Sequence, residues 1–175
     1  MIFRVSSDGW FEIPGAGGRS TRRVRCALGP TGVIGAADKR EGDGATPLGL
    51  WPMRQALFRP DRGPRPRTSL AAAAIAPDDG WCDAPGDPAY NRPVKLPYPA
   101  SAESLWREDH LYDLVIVLGY NDDPPIVGKG SAIFLHVAKP DYAPTQGCVA
   151  LARPDLEEVL ALAGEGSAVE MGRSG

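Results

Sequence analysis

Ile133-Phe134-Leu135-His136-Val137-Ala138-Lys139-Pro140-Asp141-Tyr142-Ala143-Pro144-Thr145-Gln146-Gly147-Cys148-Val149-Ala150-Leu151 contains one of the two histidines in this chain and one of its three cysteines. An apolar run of strand length, Ser131 to His136, delivers the histidine at its end. A loop carrying Pro140 and Pro144 follows, and Gly147-Cys148 opens a second apolar run. Two strands joined by a loop that folds back would set position 148 beside position 136. A thiol is a poor nucleophile until it is deprotonated, and a neighbouring imidazole can take that proton. Gly147 frees the backbone to turn, so that the amides of Gly147 and Cys148 can face a developing oxyanion. The same residues also have a plain reading. A lone cysteine commonly packs as a small apolar side chain, and a lone histidine at a strand end is commonly structural.

Working outward, Ile2–Val5 and Arg23–Leu28 alternate apolar and polar residues as half-buried strands do. Gly29-Pro30 marks a turn, and residues 29–49 read as a long loop with short strand pieces, either a groove wall or a plain connection. Residues 60–67 alternate Pro and Arg and predict an exposed extended loop, and Ser69–Ala76 reads as a strand. Residues 77–100, rich in Pro, Asp and Gly, read as an irregular lid or groove wall carrying Trp81, Tyr90 and Arg92. Ser101 has the chemistry of an N-cap for a short helix through Glu103, Leu105 and Trp106. His110 follows Glu108-Asp109 at the expected helix end, where a cation suits the dipole, and is taken as structural. Leu111–Leu118 is apolar and β-branched enough for a central strand, with Asn121–Pro125 as the turn beyond it. A last helix begins near Pro154, with Leu156, Val159, Leu160 and Ala163 as its buried stripe. Gly164 ends it, and Ala168–Met171 closes the chain as a strand. The pattern predicts one mainly β domain over residues 1–175, a sandwich or partly closed barrel with a few short helices.

Composition narrows the class. With 43% hydrophobic and 23% charged residues, 175 residues suffice for a globular core. A net charge of -3 argues against a nucleic-acid binder, which needs a basic face. The basic runs Arg19–Arg23 and Arg59–Arg67 read as solvated loop charges. The 21 glycines and 18 prolines favour short strands and turns over a helical bundle. Cys26, Cys82 and Cys148 lack metal-ligand spacing, so no metal or cofactor is expected; Cys26 and Cys82 are either two buried thiols or a disulfide. No run is long and apolar enough for a membrane-spanning helix, and Met1–Asp8 shows no leader pattern. A monomer is expected.

The histidine, the loop and Thr145-Gln146-Gly147-Cys148-Val149 together resemble the signature of the L,D-transpeptidases of bacterial cell walls (the YkuD-type catalytic domain). Further segments are similar to that family in the same order: Lys39 through Thr46-Pro47-Leu48-Gly49, Trp81-Cys82-Asp83, Tyr90-Asn91-Arg92, Leu111-Tyr112-Asp113 and Gly130–Phe134. The likeness is strongest over residues 25–171. It implies the same mainly β fold, a Cys148 nucleophile, His136 as general base, the Val137 carbonyl orienting the imidazole, and oxyanion donors at Gly147 and Cys148. The implied partner is the peptidoglycan stem peptide, which places the protein in the periplasm or cell envelope; Thr145, Gln146, Arg92, Tyr90 and Trp81 are the candidate substrate-binding residues.

Two departures bear on the substrate. The commoner form of the motif is Ser-His-Gly-Cys-Val-Arg, and this chain has Gln146 for that His and Ala150 for that Arg. An alanine offers no donor to a substrate carboxylate. Arg92, Arg107 and Arg153 are candidates to replace it, Arg92 first because it lies in a family-like segment. The resemblance therefore implies stem-peptide crosslinking, with a non-standard donor or crosslink left open. Two alternatives stay open: trimming of stem peptides by hydrolysis, in the manner of an L,D-carboxypeptidase, and a wall-binding module with a dead site. An unrelated cysteine protease fits less well, because its Cys normally precedes its His.

Overall fold

A computed structural model describes residues 1–15, 17, 18 and 20–174. Arg19, the first residue of the N-terminal basic run, lies outside the described residues.

The chain runs through β1 (Ile2–Ser6), β2 (Trp10–Ile13), β3 (Arg22–Ala27), β4 (Val33–Gly35) and β5 (Thr46–Phe58). It continues through β6 (Ala72–Ala74), β7 (Asp79–Cys82), β8 (Pro93–Lys95), β9 (Ala102–Ser104) and β10 (Leu114–Leu118). It ends with β11 (Phe134–Val137), β12 (Val149–Leu151), α1 (Arg153–Leu162) and β13 (Ala168–Gly172). Neighbouring strands follow the order β10-β11-β12-β3-β2-β1-β13-β5, and β5 pairs back onto β10, closing a barrel of eight strands. Closure removes the free edges that would otherwise invite pairing with another chain.

The length of β5 makes the closure possible. Its first half pairs with β13 from Gly49 to Pro52, and its second half pairs with β10 from Met53 to Phe58. Pro47, Gly49 and Pro52 give this segment the look of a loop in sequence. Gly49 holds φ +141, a region that costs glycine little, and a side chain there would meet the Trp51 ring at 2.5 Å.

Alternation within β10, β11 and β12 sorts side chains onto two faces. Leu114, Ile116, Leu118, Leu135, Val149 and Leu151 point into the barrel with Phe3, Phe11 and Val24. Val115, Val117, Phe134 and Cys148 point outward into a second apolar cluster with Trp81, Leu105 and Tyr112. β10 is thus buried on both faces, which is why its sequence is a continuous apolar run. A separate three-stranded sheet, β8-β7-β9, carries Trp81 and covers the outer cluster.

The expected strands at Ile2 and Ala168 run one residue further than expected, that at Arg23 is shifted by one residue, and those at Ser69, Leu111 and Ser131 are present in trimmed form. α1 starts with Pro154 in its first turn, and Leu156, Val159 and Leu160 are fully buried. Two expectations are corrected. Among the described residues α1 is the one α-helix, and the helix expected from Ser101 is instead β9, antiparallel to β7 with Glu103 opposite Trp81. Its residues have ordinary helix propensity, but pairing to a sheet edge outweighs a preference worth tenths of a kcal/mol per residue.

Residues 77–100 are likewise more regular than expected, because β7 and β8 lie there. With no helix before it, His110 sits in a turn at φ +65, with Nδ1 3.0 Å from Asp113 Oδ2. Buried Asp113 also accepts from Arg62 and Arg153, tying the Arg62 loop and the start of α1 to the turn before β10. All three cysteines are buried and unpaired. Among the described residues, no helix is long and apolar enough to cross a membrane.

Candidate active site

The outer face of β11 and β12 is where the sequence motif becomes a site. Leu135 lies opposite Val149 and His136 opposite Ala150 in a parallel pair, so position 148 comes beside Phe134, one step before the histidine on the same face. Parallel strands need a long connection, and the Pro-containing loop 138–147 supplies it. Gly147 ends that loop at φ +124, with its α-carbon so close to Ala45 that a β-carbon would lie 2.8 Å from the Ala45 carbonyl oxygen. A glycine is required there on both counts.

His136 and Cys148 line one cleft of about 370 Å³, with Glu41, Asp83, Glu103, Arg107, Tyr112, Lys139, Thr145, Gln146 and Ala150 among its walls. The imidazole is 5% exposed, and its Nδ1 lies 2.9 Å from the Val137 carbonyl oxygen. A carbonyl only accepts, so Nδ1 carries the proton and Nε2 keeps its lone pair. Tyr112 packs edge-on against the imidazole with centroids 5.4 Å apart, fixing the ring plane.

Cys148 Sγ is held from two sides: it donates to the Ala132 carbonyl at 3.2 Å and receives the Phe134 N–H at 3.4 Å. Burial pushes the thiol up to about 12, and the nearby Glu103 charge adds to this; the Phe134 amide, Lys39 and Arg107 oppose it. Burial also pushes the imidazole down to about 4, against the favourable bond from Nδ1 to Val137. The resting pair is therefore a neutral thiol beside a neutral imidazole with a free Nε2. Such a pair can attack a carbonyl if the proton leaves sulfur as the new bond forms.

The oxyanion donors need one correction. The Gly147 N–H donates to Thr145 Oγ1 at 3.1 Å, so it is already committed. The same Thr145 hydroxyl donates to the Cys148 carbonyl at 2.7 Å, which makes Thr145 a staple of the turn although it also borders the cleft. The Cys148 N–H has no acceptor among the described residues.

The structure also redistributes the expected substrate-binding residues. Gln146 is exposed at the cleft rim. Trp81 lies behind the site, 6% exposed, donating Nε1–H to Asn91 Oδ1 at 2.9 Å and packing edge-on against Phe134. Tyr90 is buried and donates to Glu41 Oε2 at 2.5 Å, so it steadies a cleft carboxylate without lining the cleft. Arg92 donates to the Asn91 and Asp122 carbonyls and borders a different, smaller cavity. Arg153 is spent on Asp113 and Glu157.

The arginine that does reach the cleft is Arg107, half-buried, its Cζ 5.1 Å above the Tyr112 ring and its Nε and Nη2 on Asp109. Glu41 and Asp83 lie in family-like segments, but neither they nor Glu103 stood out as site residues, because only the three-stranded sheet and the loop before β5 bring their three separated segments together.

Compared with protein families, residues 15–171 match the one described as YkuD, the L,D-transpeptidase catalytic domain. Among curated proteins, none matches the chain.

Proposed function

The chain belongs to the L,D-transpeptidase catalytic-domain family, and from that premise we propose that it transfers peptidoglycan stem-peptide acyl groups through a thioester on Cys148. The family acts in the cell envelope on peptidoglycan, and residues 1–175 act as one catalytic domain in this reading. The observation that carries the reading is the cleft itself, where a buried thiol and an imidazole with a free Nε2 share one wall.

In the first step Cys148 Sγ bonds to an amide carbonyl carbon of the donor stem, and its proton passes to His136 Nε2. The negative oxygen that forms is met by the Cys148 N–H; one such donor is worth about 3 kcal/mol in a transition state. Collapse breaks the C–N bond, and the same Nε2 returns its proton to the departing amine. The thioester is then attacked by an amine of a second stem, whose proton goes to Nε2 and then to sulfur as the C–S bond breaks. Arg107 is the group placed to hold a donor carboxylate in the absence of an arginine at position 150.

Intact-protein mass spectrometry after mixing with disaccharide-peptide monomers tests this. The reading predicts an acyl adduct on Cys148 that is absent from Cys148→Ala. A folded wild-type protein that gains no adduct from any stem length would overturn it and raise the binding-module alternative.

A further inference from the structure

The wall that faces the nucleophile is negative. Glu103 projects from β9 into the cleft, close enough for its charge to act on the Cys148 thiol. Tyr112 Oη donates toward both Glu103 oxygens at 3.3 Å, and the same tyrosine ring packs against His136. The carboxylate, the phenol and the imidazole therefore form one contiguous surface.

Two more carboxylates complete that wall. Glu41 is held by the Tyr90 and Ser131 hydroxyls, both on Oε2. Asp83 has its Oδ1 buried and without a hydrogen-bond partner among the described residues. A carboxylate offers about four acceptor sites, and one long, shared hydroxyl contact leaves most of those on Glu103 unfilled. Unfilled charge in a partly buried cleft is costly and calls for a cationic partner. The described residues contain no group of acidic and histidine side chains arranged to hold a metal ion, so an organic cation is the better fit. Arg107 does not satisfy the wall: Asp109 takes its Nε and Nη2, and its remaining Nη1 donates to none of the three carboxylates among the described residues.

The reaction supplies such a cation. An acceptor amine reaches the enzyme as an ammonium ion, which has three donors and no lone pair for attack. It must be drawn in charged and lose its proton beside the thioester. We propose that Glu103 is the specificity-determining residue for the acceptor: its carboxylate, backed by Glu41 and Asp83, docks an alkylammonium group and so favours amine transfer over hydrolysis. This rests on the Cys148 thioester. The docked ammonium gives one proton to the Glu103 carboxylate, which later releases it to solvent; the freed lone pair attacks the thioester carbonyl, and the nitrogen's second proton passes to His136 Nε2 and from there to sulfur as the C–S bond breaks. Burial pushes the empty Glu103 carboxyl up to about 7, against the Tyr112 hydrogen bond and the Arg107 charge; an arriving ammonium draws it back toward the ionised form.

The test is the ratio of transfer to hydrolysis products from one donor stem, with the Cys148 adduct followed in the same samples. Nα-acetyl-lysine amide serves as acceptor and its Nε-trimethyl form as a charged analogue that cannot attack. In Glu103→Gln the transfer-to-hydrolysis ratio should fall about tenfold, and Glu103→Asp should recover part of it. In the wild type the trimethyl analogue should suppress transfer while hydrolysis continues, a measurement that stands even if Glu103→Gln does not fold. An unchanged ratio in an acylated Glu103→Gln, or transfer indifferent to the trimethyl analogue, would overturn the ammonium site alone. No adduct in the wild type would overturn the thioester reading and this inference with it.

Discussion

At the scale of single residues, the chemistry turns on two neutral groups. Desolvation lifts the Cys148 thiol and depresses the His136 imidazole, so neither charges in the resting cleft near neutral pH. The sign of the pH effect follows. The thiolate fraction grows as pH rises toward about 12, with no plateau near neutrality. Ionisation of Glu103 around 7 adds a negative charge that disfavours the thiolate further. Alkylation of Cys148 by iodoacetamide should therefore keep accelerating from pH 6 through 9. A rate that levels off below pH 8 would reveal a preformed thiolate–imidazolium pair and contradict the neutral resting state. His136→Ala should slow alkylation near neutral pH, because no base remains to accept the proton. The pair was legible in the sequence because strand, loop and Gly-Cys each leave a local pattern. The commitment of the Gly147 amide to Thr145 was not, since it depends on the turn's final geometry.

At the scale of elements, the site depends on how the 138–147 loop lands. Gly147 has a backbone conformation and a neighbour at 2.8 Å that both exclude a side chain. Gly147→Ala should cost about 1–3 kcal/mol of stability and displace Sγ from the Ala132 carbonyl. Thermal unfolding measures the first effect and the alkylation rate the second; an alanine variant with unaltered stability and reactivity would show that the loop tolerates a β-carbon. Strands with clean alternation, such as β1 and β3, and the stripe of α1 could be read directly from the chain. β5 was hidden by Pro47, Gly49 and Pro52, which carry loop signals although the strand is thirteen residues long. β9 looked helical because Ser101 and the residues after it suit an N-cap and first turn. The edge of β7 decided otherwise, and that edge lies beyond the reach of a local pattern, with Trp81 as the partner of Glu103.

At the scale of the whole molecule, a closed barrel presents one face of two parallel strands, and a small second sheet builds the opposite wall. The mainly β class and the family were within reach of the sequence, since both rest on ordered motifs. The identity of the cleft's charged groups was not. Along the chain Arg92 ranks ahead of Arg107 because it lies in a family-like segment, and only the packing of the three-stranded sheet brings Arg107 to the cleft and leaves Arg92 on carbonyl oxygens elsewhere. The same packing assembles Glu41, Asp83 and Glu103 opposite the nucleophile. The most direct test of the central claim is product analysis by mass spectrometry, with disaccharide-peptide monomers of defined stem length incubated with the protein and with Cys148→Ala. The account predicts stem-peptide dimers that form only with Cys148 present, their fragmentation showing which residues are joined. Identical product profiles for the protein and the alanine variant on every stem length would contradict it.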